Sequence, residues 1–267
     1  IIKEIISFIK LTKGEFYKTN KKDGDDMKLN NYDYRFLKKL LQSTQHELLE
    51  FLPNALKAIY RKEDIIITNN YICAKGDIPV ALVAHLDTVY PEPPKQIFHD
   101  PEYNIIWGTN GLGADDRAGI FAILNILECG YKPTVIFCCD EENGGLGAYQ
   151  LTKDFPKPFT NFEMLIELDR QGTKDAVYYS LNNTDFENYI NNYGFETAVG
   201  VFTDICILGP IWDVPAVNLS VGYFNEHSYA EMLYYPALFD TIDKVCLILE
   251  EKRIKDFEFT EITGSSN

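Results

Sequence analysis

The chain has 267 residues, 46% of them hydrophobic, enough apolar mass for a real core in one large domain or two small ones. Its 25 basic residues stand against 40 acidic ones, a formal charge of −15, and no Lys/Arg cluster interrupts that balance. Such a surface repels phosphate backbones and anionic lipid, which argues against nucleic acid and membrane as partners.

The opening segment, IIKEIISFIK, predicts a short amphipathic helix over 1–10, with Ile2, Ile5, Ile6 and Ile9 on one face. It is too charged for a signal-peptide core, and no apolar stretch approaches the ~18 residues that a membrane span needs. Residues 12–31 are rich in Lys, Asn and Asp and read as a linker. Residues 1–33 are therefore expected to form a helix and polar extension ahead of a single domain over 34–267. The helical period returns between Tyr34 and Lys62, through Phe36, Leu37, Leu40 and Leu41 and then Leu48, Leu49, Leu52 and Leu56. Pro53 is expected to break this stretch into two helices.

From residue 65 onward the pattern changes. Short apolar runs appear at 65–68 (IIIT), 80–84 (VALVA), 134–139 (TVIFCC), 164–168 (MLIEL) and 216–221 (AVNLSV). Runs apolar at nearly every position, without alternation, suit strands buried on both faces of a largely parallel sheet. A helix is expected over 117–129, stopped by Gly130, and another over 228–252 with an irregular turn near Pro236. Strands alternating with helices predict a three-layer α/β/α sandwich around a mixed, largely parallel central sheet. Six cysteines without the paired spacing of a thiolate zinc site read as reduced core residues of an intracellular, cytoplasmic protein.

Ligands of open parallel sheets gather at the carboxyl edges of the strands, and polar residues follow each apolar run. VALVA leads into His85-Leu86-Asp87, TVIFCC into Asp140-Glu141-Glu142, MLIEL into Asp169, and AVNLSV to His227 a few residues on. The loop Gly113-Ala114-Asp115-Asp116-Arg117 opens the helix at 117. Each piece alone has a plain structural explanation: a strand-end His satisfied by hydrogen bonds, an Asp at a helix N-terminus, a solvated acidic turn. Together they offer two histidines and several carboxylates at one edge, the mixed N/O donor set of zinc chemistry. His46 and His99 read as surface and loop residues. Ser228 and Glu231 read as an S-x-x-E capping box of the last helix, with His227 just before its start.

The ordered set HLDTV (85–89), GADDRAG (113–119), DEENGGLGA (140–148), ELDRQG (167–172) and NEHSYAE (225–231) resembles the co-catalytic di-zinc peptidase clan, the M28- and M20-like enzymes. The resemblance covers roughly residues 65–250 and implies a zinc-exopeptidase, phosphorylase/hydrolase-like fold and hydrolysis of peptide or amide bonds. By that resemblance Asp115 bridges two Zn2+ ions, His85 and Asp169 complete one site, and Glu142 and His227 the other. Co2+ or Mn2+ would suit the same donors. Glu141 is the implied general base, and Asp87 the acceptor that fixes the His85 tautomer. A cis peptide bond is implied between Asp115 and Asp116, and Asp204, beside Thr203, matches a supporting or specificity position of some relatives.

His85 to Asp115 spans 30 residues and Asp169 to His227 spans 58, too few for the lid or dimerisation domains that some branches insert. The single-domain aminopeptidase branch is therefore the expected one. Two alternatives stand beside it: a mono-zinc, glutaminyl-cyclase-like acyltransferase, which the intact His85 opposes, and a non-catalytic binding protein on the same fold. The sequence leaves open the substrate's identity, a peptide or small amide in either case, and the oligomeric state.

Overall fold

The computed structural model describes residues 29–251 and 257–260; the helix expected over 1–10 lies outside them. An eight-stranded sheet runs in the order β1-β2-β6-β3-β7-β10-β8-β9. Its strands are β1 (Ile65–Ile67), β2 (Tyr71–Ala74), β3 (Ile78–His85), β6 (Pro133–Cys138), β7 (Met164–Arg170), β8 (Asp175–Val177), β9 (Glu196–Ala198) and β10 (Ala216–Ser220). The central strands β6, β3, β7 and β10 are mutually parallel. Antiparallel partners flank them, with β2 beside β6 and β8 beside β10.

The apolar runs divide their side chains between two cores, as strands covered on both faces must. Val80, Leu82, Ala84, Val135, Phe137, Met164, Ile166, Val217 and Leu219 face one layer of helices. Ala81, Val83, Ile136, Cys138, Leu165 and Ala216 face the other. The first layer holds α1 (Asn31–Leu41), α2 (Gln45–Leu56), α3 (Ala114–Glu128), α5 (Thr184–Asn191) and α7 (Tyr235–Leu249). The second holds α4 (Leu146–Asp154) and α6 (Ile205–Trp212). The three-layer sandwich expected from the sequence is the fold observed.

Three expectations need correction. Pro53 lies inside α2, and the break between helices falls at Gln42–Thr44. There Thr44 and Glu47 form a true capping box that starts a new helix, while Pro53 forfeits one backbone donor without ending it. No helix begins at Ser228: residues Met232–Tyr234 form strand β12, and α7 starts at Tyr235 with Pro236 in its first turn. A second, antiparallel sheet, ordered β11-β12-β5-β4, was not legible. It pairs β4 (Ile97–Asp100) and β5 (Ile105–Gly108) with β11 (Tyr223–Phe224) and β12, strands too short to declare a period. His99 lies in β4, stacked on Tyr34, and not in a loop. His46 is exposed beside Glu50, as expected. No described helix is long and apolar enough to cross a membrane.

The placement of α3 matters most for the site. Every residue from Ala114 to Leu127 is buried, and the helix runs along β3 and β7. Gly119 permits that approach: a Cβ there would lie 2.1 Å from the Leu168 carbonyl oxygen of β7. Gly119→Ala must therefore push the helix off the strand, and we expect a loss of roughly 1–3 kcal/mol in a denaturant titration.

A second consequence follows at the far end of α3. Burial pushes the Asp33 carboxyl up to about 6, against the hydrogen bond from Asn30. Burial and the charge of Asp33 push Glu128 up to about 7, against a hydrogen bond from Tyr32. Unfolded, both titrate near ~4, so the folded state binds more protons between about pH 4 and pH 7. Their stabilising contribution is complete below that window and is lost as the pH rises through it. Glu128→Gln should thus raise the melting temperature at pH 8 and leave it little changed at pH 4.

Candidate metal centre

The carboxyl ends of β3, β6 and β7 and the loop before α3 bring the predicted residues together. His85, the last residue of β3, is fully buried. Its Nε2 lies 2.9 Å from Asp115 Oδ1 and 3.5 Å from Asp169 Oδ1, and its Nδ1 lies 3.2 Å from Asp87 Oδ1. On the other side, His227 Nε2 lies 3.2 Å from Asp115 Oδ2 and 3.0 Å from Glu142 Oε1. Asp115 therefore turns one carboxylate oxygen to each histidine. Glu141 forms no ion pair with either histidine among the described residues, yet sits close enough to share a donor cluster with His85 and Glu142.

Supporting contacts hold these groups in place. Asp87 also accepts the backbone N–H groups of Glu141 at 2.9 Å and Glu142 at 3.0 Å, which ties the end of β3 to the acidic turn after β6. The Asp115–Asp116 peptide bond is cis, as expected. The Asp116 carboxylate, fully buried, accepts from the backbone N–H groups of His85 (3.2 Å) and Gly119 (2.9 Å). Thr203 donates to Asp169 Oδ2 at 2.9 Å. Asp204 is fully buried next to it, its carboxylate near the Cys138 thiol and without an oxygen or nitrogen partner.

Several supporting residues escaped the sequence reading. Glu231 is the chief one. Its buried carboxylate accepts three backbone N–H groups, from Leu112 (3.0 Å), Gly113 (2.7 Å) and Asp115 (3.0 Å). It braces the loop that delivers Asp115 at the start of α3 and caps no helix beginning at Ser228, which overturns the capping-box expectation. Tyr223 donates to Asp169 Oδ1 at 3.2 Å, and Asn218 exchanges hydrogen bonds with the Asp169 backbone. Arg117, buried at the base of α3, spends its guanidinium on the carbonyls of Ser43, Leu86 and Asp87. Only its place in the GADDRAG run could have drawn attention to it.

The electrostatics say what the cluster lacks. Burial, joined by the charges of Asp169, Asp204 and Glu142, pushes Glu141 up to about 9 in spite of His85. Burial and Asp115 push Glu142 up to about 7. Asp115 falls below the ordinary carboxylate range, since the hydrogen bonds of His227 and His85 outweigh its burial, and Asp87 is lowered too, by His85 and the amides of Glu141 and Glu142 against its burial. Crowded carboxylates therefore retain protons unless a cation enters. Donor atoms of Asp115, Glu142 and His227 lie within 4.8 Å of one another, as do those of His85, Asp116 and Asp169, and those of His85, Glu141 and Glu142. Imidazole and carboxylate donors so arranged fit divalent metal ions of the zinc type.

The sequence profile of peptidase family M28 matches residues 70–204, half of the chain. The chain belongs to peptidase family M28. As an M28 member it is a metallo-exopeptidase. The matched span begins before β2 and ends at Asp204, so it covers every predicted site residue except His227. No curated protein matches the chain in sequence. Among solved structures, aminopeptidase PepT from Bacillus cereus superposes with a TM-score of 0.65 at 13% identity, covering 84% of this chain and 99% of that one. A tripeptidase from Staphylococcus aureus gives 0.62 at 14%, covering 83% and 98%. A TET aminopeptidase from a marine-sediment thaumarchaeon gives 0.67 at 11%, covering 84% and 97%. At these identities the likeness speaks to the fold.

The Glu231 brace yields a direct expectation for this M28 chain. Glu231→Leu leaves three backbone donors unmet and frees the Asp115 loop. Metal affinity should fall about 10–100-fold in a chelator competition, and thermal stability should drop as well.

Proposed function

We propose that this M28 peptidase is an aminopeptidase with a two-metal centre, and one observation carries the reading: Asp115 presents separate carboxylate oxygens to His85 and to His227. A carboxylate facing two imidazoles from opposite sides is what a bridging ligand requires. His85, Asp115 and Asp169 would hold one ion, and Asp115, Glu142 and His227 the other. Two cations so held would polarise a substrate carbonyl and lower the pKa of a water between them. Zinc suits the donors, and cobalt or manganese would be accepted.

The chain's own residues supply the remainder. Glu141, adjacent to a ligand in sequence but apart from the histidine contacts, accepts the proton of the attacking water and returns it to the leaving amine nitrogen. Asp87 fixes the tautomer of His85: by accepting at Nδ1 it leaves the Nε2 lone pair turned to the metal side. The backbone amides of Glu141 and Glu142 both end on Asp87, which anchors the turn that carries the two side chains. Asp204 and Thr203 form the floor behind Asp169. The PepT, tripeptidase and TET aminopeptidase likenesses support exopeptidase action on short peptides.

Metal content and hydrolysis of aminoacyl anilides by the wild type and by Glu141→Gln test this reading together. Two metal ions per chain are expected in both proteins, with kcat falling about 100–10,000-fold in the variant. A single ion in the wild type, or undiminished turnover by Glu141→Gln, would overturn it.

A further inference from the structure

The two histidines of the centre are held in different ways. His85 ends β3 with a side chain only 1% exposed, and Asp87 accepts at its Nδ1. The His227 side chain is 52% exposed, and among the described residues its ring is met only at Nε2, by Asp115 and Glu142. Both of those are cleft carboxylates that would share a cation with it. Nothing grips the far side of the ring, so what aims His227 has to act on its main chain.

His227 lies in the loop over 225–231 that joins β11 to β12. Its φ of +58° falls in the left-handed region, where a residue with a Cβ persists only if its surroundings hold it there. Inside the loop, Ser228 Oγ donates to the Asn225 carbonyl at 2.7 Å and accepts from the Ala230 amide at 3.2 Å. Asn225, Tyr229 and Ala230 are exposed, so packing fixes little of the loop. Among the described residues, one hydrogen bond reaches the main chain of 225–230 from outside the hairpin. Tyr90 Oη donates to the Ser228 carbonyl at 2.7 Å.

Tyr90 is anchored on the other half of the centre. It follows Asp87 in the loop after β3, and its ring packs on Gly111, where a Cβ would lie 2.2 Å from Tyr90 Cε1. Gly111 precedes the stretch from Leu112 to Asp115 that Glu231 braces. Burial and the charge of Glu231 raise the Tyr90 hydroxyl well above the ordinary tyrosine range, so it stays a donor. One side chain thus leaves the loop of Asp87, rests on the loop of Asp115 and ends on the residue after His227.

We propose that Tyr90 is a positioning residue for His227, its hydroxyl setting the aim of the imidazole through the Ser228 carbonyl and, with it, the metal affinity of the His227 side of the centre. This rests on the two-metal reading above. Without the hydroxyl the loop relaxes from the strained φ at His227 and the imidazole wanders, whereas His85 keeps its place on Asp87.

The test titrates metal-free protein with Zn2+ against a chromogenic chelator, in the wild type, Tyr90→Phe, His227→Ala and the double variant. The wild type is expected to take two ions, and the step lost in His227→Ala identifies the His227 side. Tyr90→Phe, which keeps the ring on Gly111, should weaken that step about tenfold or more and leave the other within about twofold. In the His227→Ala background the same change should alter neither step, because a residue acting through His227 has nothing left to act on. Co2+ gives a spectroscopic reading of the same effect: the visible band of the His227-side ion should shift in Tyr90→Phe, and that of the other ion should not. Equal weakening of both steps, a wild-type profile in Tyr90→Phe, or an undiminished effect in the His227→Ala background overturns the proposal, while two ions in the wild type keep the two-metal reading. A Tyr90→Phe protein without a cooperative melting transition marks a purely structural role and overturns it too. A wild type that takes a single ion overturns both.

Discussion

Carboxylates gathered in a protein interior repel one another, and each must meet a donor or a cation to stay there. That constraint organises this molecule. Asp115, Asp116, Asp169, Glu141, Glu142 and Glu231 all crowd the carboxyl end of one parallel sheet. The surrounding structure is largely a scheme for answering their charge.

Three of the answers come from main-chain amides. Asp87 takes the amides of Glu141 and Glu142, Asp116 those of His85 and Gly119, and Glu231 those of Leu112, Gly113 and Asp115. Each carboxylate thereby ties two chain segments that are distant in sequence. Histidine answers for Asp115, Asp169 and Glu142, and there the balance stays short. Those three carboxylates and Glu141 would together carry more negative charge than two imidazoles relieve, so protons are held there that a metal ion would displace. The supports are therefore separable from the donors: the first group binds backbone, the second faces the cleft.

What the sequence disclosed follows the same division. The strands were legible because burial on both faces leaves runs such as VALVA and TVIFCC without alternation. The residues facing the cleft were legible because they follow those runs in a recurring order. The supports were harder to see. Ser228 and Glu231 carry the spacing of a capping box, and only tertiary structure reveals that the Glu231 side chain reaches back to residue 112. Tyr223 and Asn218 look like ordinary strand residues until Asp169 is placed beside them. The four-stranded sheet escaped because its members are two to four residues long and mixed in polarity, as in IFHD. Pro53 misled for the opposite reason: a strong local breaking signal removed one backbone donor and did not end the helix.

The position of His227 and Glu231 after the other clustered residues in chain order has a consequence for synthesis. A nascent chain that has emerged only as far as Asp204 already contains every other residue of the centre. It lacks the second histidine, and it lacks the brace that holds Asp115. The cluster can be completed only after strand β12 pairs with β5, more than a hundred residues earlier in the chain. A cluster built in this order stays incomplete until the segment that carries His227 and Glu231 has been made.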